Sequence, residues 1–118
     1  AHHVGACTSD GTPAPFTPDA PVWVDVLAPG TDVVSTFLDG PVLLEEGDHR
    51  HVRRFRGTAA WSGSSFAAAA VSGAVAAGIV PGRVDARDSL ADLMRVTRPG
   101  PTADSPPWLP LTVPVRHT

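Results

Sequence analysis

The stretch WSGSSFAAAAVSGAVAAG, from Trp61 to Gly78, sets two serines between a glycine and a run of small apolar residues. Gly63 to Ser65 marks a turn, and Phe66 to Ile79 predicts a helix that Pro81 breaks. No polar face interrupts this helix, so burial on every side is expected. The first N–H groups of a helix lack partners within it and favour negative charge beside them. A serine oxygen placed there has an anion site at hand, which acyl transfer needs for its tetrahedral intermediate. The same serines would also serve as ordinary helix caps. A nucleophile further needs a base and a group that orients the base. On these residues alone both readings stand.

Working outward, the 118 residues make one domain or part of one. A hydrophobic fraction of 42% with 18% charged residues describes a globular chain. The net charge of −3 leaves no global basic field for nucleic acid or acidic lipid. All nine basic residues are arginine, and Lys, Asn, Gln and Tyr do not occur. We read this skew as coding bias. Cys7 is the single cysteine, so neither an internal disulfide nor a paired-cysteine metal site can form. No signal-peptide pattern opens the chain, and the apolar run from Phe66 to Val80 is too short and too weakly apolar for a bilayer span.

Upstream, Val22, Val24 and Val26 alternate with Trp23 and Asp25, a strand signal that Ala28 to Gly30 should stop. Val33 to Phe37 predicts a second strand. DGPVLLEEGDHRH, from Asp39 to His51, reads as a polar loop or hairpin tip, and VRRFRGTAAW, from Val52 to Trp61, as a continuing strand. Downstream, Asp85 or Asp88 can cap a second helix with Leu90, Leu93 and Met94 on one face. In the tail, Leu109, Leu111, Val113 and Val115 alternate with Pro110, Thr112, Pro114 and Arg116, which suits an edge strand or an extended packed arm.

Three segments carry a resemblance. GSSFAAAAVSG (Gly63 to Gly73) is similar to the G-T-S-[MF]-A-A-P-x-V-[AS]-G signature of the subtilisin-like serine peptidases. VDVLAPGTDVVSTF (Val24 to Phe37) resembles that family's V-D-V-x-A-P-G-x-x-[IV]-x-S-T segment. VGACTSDGTPAPFT (Val4 to Thr17) resembles its V-G-A-x-x-x-x-G-x-x-A-x-F-S segment. They occur in the family's order with nearly its spacing. The resemblance implies that Ser65 is the nucleophile, that Ser64 takes the Thr place beside Gly63, and that the Ser65 backbone N–H is one oxyanion donor. It implies an α/β fold, a doubly wound and mostly parallel sheet, with the serine at the start of a central buried helix. A G-x-S-x-G elbow over Gly63 to Ala67 is the weaker match, because it wants a carboxylate and then a histidine downstream and only His117 follows.

The chain departs from the family in several places. Ala69 stands at the usual Pro and Ala70 at a frequent His. The stretch from Leu38 to Ala60 is longer than in compact members and is an expected contact for substrate or a neighbour. The family's Asp and His motifs and its oxyanion Asn precede these segments and are missing here. Residues 1–118 are therefore expected to be the C-terminal part of a subtilisin-like domain, inactive as a peptidase until an N-terminal half is supplied. The alternative is a non-catalytic pseudoenzyme or binding module of the same fold. The substrate class is protein or peptide, no cofactor is expected, and calcium enters only through the resemblance, as does a secreted or cell-envelope location. A half-sheet would expose an apolar face and an edge, so an oligomer or a partner half is expected.

Other histidines and carboxylates read as ordinary surface features. His49 and His51 suit a solvated loop, although their spacing would also let them face a metal together with Asp48. HRHVRRFR (His49 to Arg56) reads as a solvated strand face rather than a nucleic-acid patch, since Glu45, Glu46 and Asp48 neutralise it and Phe55 is its only aromatic. His2 and His3 are expected to end a strand or to belong to a truncated segment, and Asp25 and Asp32 are read as turn and strand-end residues.

Overall fold

The computed structural model describes residues 2–17 and 23–116. Val22 and His117 lie outside them. Two short strands, β1 (Val4–Cys7) and β2 (Val26–Pro29), pair in parallel, with Val4 opposite Val26 and Cys7 opposite Pro29. Every residue of β2 is buried. A strand covered on both faces reads as a continuous apolar run rather than an alternation. That is why β2 starts at Val26 and runs through Ala28 and Pro29, later than the valine alternation suggests. Pro29 is tolerated because it ends the strand.

The tail supplies the other neighbour of β2. Leu27 N–H donates to Pro107 O, and Leu109 N–H donates to Leu27 O, both at 2.8 Å. Residues 107–109 thus run parallel beside β2, and further along Val33 bridges Val115. The extended packed arm expected from the Pro alternation is present.

Residues 33–61 form one long hairpin. Strands β3 (Val33–Glu46) and β4 (His49–Trp61) pair antiparallel, with Glu46 opposite His49 and Gly47-Asp48 as a two-residue turn. Gly47 has φ 62°, the left-handed value such turns require. Of the two readings of Asp39 to His51, a polar loop or a hairpin tip, the structure shows the hairpin tip, with strand on either side of the turn. Leu43 faces Val52 and Leu44 faces His51 across the pair. A bulge falls between Thr36 and Asp39. Near it Phe37 packs edge-on against Phe55, with ring centres 4.7 Å apart, and also meets Trp61.

Helix α1 (Ser64–Ala77) lies against β1 and β2, and α2 (Ala86–Met94) packs on α1. Asp85 caps α2 through the Asp88 N–H, and the Asp88 carboxylate accepts from the Asp85 N–H in return. Ser89 donates to Val75 O at 2.7 Å and ties the helices together. The core gathers Ala6, Ala14, Val26, Ala28, Ala67, Val71 and Leu109, with Leu93 and Met94 packed on its rim. In α1 only Ala67 and Val71 are buried. This corrects the expectation of burial all round: β1, β2 and α2 pack on the helix and Ala14 and Leu109 join its two buried residues in the core, while the rest of it is exposed or half-buried.

Strands and helices are mixed, as expected of an α/β chain. Among the described residues the sheets are one parallel pair and one antiparallel pair.

Candidate active site

The start of α1 is placed by a close approach of backbones. Gly63 N–H donates to Gly30 O at 2.9 Å, and Gly30 N–H donates to Cys7 O at 3.0 Å. A Cβ at Gly30 would meet Gly63 O at 2.8 Å and the Ala6 Cβ at 2.9 Å, so only glycine lets the helix start sit this near the strand ends. The Thr31 hydroxyl also donates to Cys7 O. Ser62 Oγ accepts from Asp32 N–H at 2.8 Å, and Arg116 pairs with Asp32 at 3.3 Å. Together these bonds hold Ser62 to Ser65 at the carboxyl end of the parallel pair, where open α/β sheets bind their ligands.

Gly63 occupies the N-cap position with extended backbone, and no side chain caps the helix. The capping role open to Ser64 and Ser65 is thus not the one they play. Both are exposed. Among the described residues neither hydroxyl makes a hydrogen bond, and neither backbone N–H has an acceptor. No acidic residue occupies the first turn. The geometry offers an unengaged hydroxyl beside unpaired N–H donors at a helix start, an arrangement that favours an anion.

Among the described residues no histidine lies beside these serines. His3 sits at the amino end of β1, where its backbone N–H donates to Asp25 Oδ2 at 2.7 Å and its ring Nδ1 lies 3.5 Å from the same oxygen. That end of the strands is opposite to α1's start. The His3 N–H, ahead of the ring, holds the Asp25 carboxyl below its ordinary range. His49 and His51 are exposed at the hairpin tip. His51 is ten residues along β4 from Trp61, about 33 Å at about 3.3 Å per residue. Among the described residues no three His, Cys, Asp or Glu side chains gather as a metal site, and no helix is long and apolar enough to cross a membrane.

Two other groups have shifted acidity. Cys7 is buried, and that burial, with the Asp10 charge adding to it, pushes its thiol up to about 12. Asp10 accepts from the Thr8 hydroxyl and from Thr12 N–H, bonds that hold its carboxyl at about 2. Cys7 ends β1 and Asp10 lies in the turn that follows. The contribution of Gly30 is not foreseen from the sequence, where the APG triplet reads as a strand stop and as part of the family segment but not as the seat of the helix start.

Residues 2–79 match the family model described as the Subtilase family. The match takes in β1 through α1 and leaves α2 and the tail outside it. No curated protein and no solved structure matches the chain.

Proposed function

The chain belongs to the subtilase family, and from that premise we propose that it carries the nucleophile of a serine endopeptidase, Ser65, which hydrolyses peptide bonds through an acyl-enzyme. The observation that carries this reading is the exposed, unbonded Ser65 hydroxyl at the start of α1, with free N–H groups beside it. In the reaction Ser65 Oγ attacks the scissile carbonyl carbon as its proton passes to a histidine. The carbonyl oxygen becomes an oxyanion that the Ser65 N–H helps to hold. Collapse expels the amine, which takes the proton, and water then releases the acyl group by the same route. Acyl transfer of this kind requires no metal or organic cofactor. Gly63 and Ser64 shape the approach to Ser65.

The histidine base, its carboxylate partner and a second oxyanion donor come, in this reading, from an N-terminal half of the same domain. That half also completes a doubly wound parallel sheet and covers the open faces of α1. A secreted or envelope location accompanies the family assignment. A free serine hydroxyl is a poor nucleophile at neutral pH, and each lost factor of ten in rate is about 1.4 kcal/mol of barrier. The chain alone is therefore inactive.

The test is reconstitution with a subtilase segment that carries the Asp and His motifs. Peptide hydrolysis should appear only in the mixture, vanish with Ser65→Ala and survive Ser64→Ala. Hydrolysis that persists in Ser65→Ala would exclude Ser65. A second reading, a binding module of the same fold, is favoured by the lack of any imidazole near Ser65 among the described residues. It predicts peptide binding with no turnover in any mixture.

A further inference from the structure

We propose that the groove along the free edge of β4 binds an extended acidic peptide segment as an added strand, selected by Arg53, Arg54 and Arg56. This deepens, and rests on, the reading of the chain as a peptide-handling subtilase.

Three observations carry it. The first is the groove itself, about 590 Å³ in volume. Every residue from Arg53 to Ser62 except Gly57 lines it, β3 contributes only residues near its two ends, and the Asp32–Arg116 pair closes it at the base of the ribbon. A groove that touches consecutive residues of one strand follows that strand's backbone. The second is the edge. Among the described residues the backbone of β4 pairs with β3 and nothing else, so one row of its N–H and C=O groups is unpartnered. Such an edge accepts an extended chain through main-chain hydrogen bonds.

The third is charge. Of the nearby carboxylates, Glu45 is taken by Arg50 at 3.2 Å, Asp39 stands opposite Arg56 and Glu46 lines the groove near the tip, fewer negative charges than the arginines they face. Asp32 is taken by Arg116. Among the described residues Arg53, Arg54 and Arg56 are exposed and belong to no ion pair. Arg53 instead lies over the Phe55 ring at 5.4 Å. In a chain of net charge −3 this leaves a locally positive edge. A second copy laid antiparallel on this edge would set arginines against arginines, so the occupant is an acidic segment and not another copy. The groove ends at Ser62, three residues before Ser65, so a bound segment leads toward the candidate nucleophile.

The test is fluorescence anisotropy with the full chain bearing Ser65→Ala and three labelled ten-residue peptides: Asp/Glu-rich, Lys/Arg-rich and uncharged. The acidic peptide should bind at least about tenfold more tightly than either other, and the preference should shrink as salt screens it. Arg54→Glu with Arg56→Glu should weaken it by about tenfold or more. A peptide series that leaves the chain untouched removes any question of folding. Backbone N-methylation at alternate residues should abolish binding in one parity and spare the other, because only every second N–H of an added strand faces β4. Equal binding of acidic and basic peptides, no binding, or indifference to N-methylation in both parities would overturn the proposal and leave the arginines as guards against edge aggregation. Because Ser65→Ala removes chemistry from the readout, the two readings fail separately. Acylation without acidic binding sinks this inference alone, and binding without acylation sinks the peptidase reading alone.

Discussion

In the body formed by β1, β2 and α1, Ala6, Ala28 and Ala67 are fully covered, whereas in the β3–β4 ribbon only Val33 and Phe55 are buried among the described residues. The body is held by close approach of small side chains, and the ribbon by its own ladder and one aromatic cluster. The two meet at Gly30, Ser62 and Gly63. The division means that the body fixes where Ser65 stands, while the ribbon is free to carry exposed charge. Changes in the body should therefore act on stability, and changes in the ribbon on local order and recognition.

The largest effect should come from Leu109→Ala. Leu109 is fully buried, and its truncation should cost about 3 kcal/mol in urea denaturation. Amide exchange should rise in β1 and β2, and an equal rise across β3 and β4 would break the division. Next, Gly30→Ala should cost about 2 kcal/mol, since backbone at 2.8 Å must move to admit the methyl group. Phe55→Ala should cost about 1.5 kcal/mol, read as faster exchange confined to the ribbon around Phe37 and Trp61. Asp85→Ala should cost about 1 kcal/mol through loss of the α2 cap.

The smallest effect should be the response to acid. The Asp10 carboxyl sits at about 2 rather than 3.8, so its ionised form is favoured in the folded chain. Its contribution is present above about pH 4 and is lost as pH falls toward 2. Asp25, shifted in the same direction, acts with the same sign. Asp10→Ala should flatten the acid limb of a thermal stability profile by lowering stability at and above about pH 4, including pH 7, and should leave stability near pH 2 almost unchanged.

Legibility in the sequence follows the same division. The start of α1, the Asp85 cap, the β4 strand and the packed Pro-rich arm all rest on local chemistry, and all were readable. The family resemblance drew on three segments of the body, the region where close contacts constrain residue type most. The position of β2 is not legible because it depends on β1 and the tail at its two edges and α1 packed against it, which periodicity cannot register. Only the outer part of the ribbon, Asp39 to His51, stays open between loop and hairpin tip in the sequence, because DGPVLLEEGDHRH mixes charges on both faces, as a solvated two-stranded arm does. The exposure of most of α1 was also unreadable, since an all-apolar helix carries no mark of which neighbours reach it. Within the candidate site, Ser65 is named by resemblance alone, and its freedom from capping is not legible in the sequence, because that depends on Gly63 taking the cap position.

Intact-mass analysis after exposure to a fluorophosphonate probe tests the central claim most directly. The isolated chain should remain unmodified, and the same chain mixed with a segment bearing the Asp and His motifs should gain one adduct, mapped by peptide fragmentation to Ser65. An adduct on any other residue in the mixture, or one on Ser65 in the isolated chain, would contradict the account.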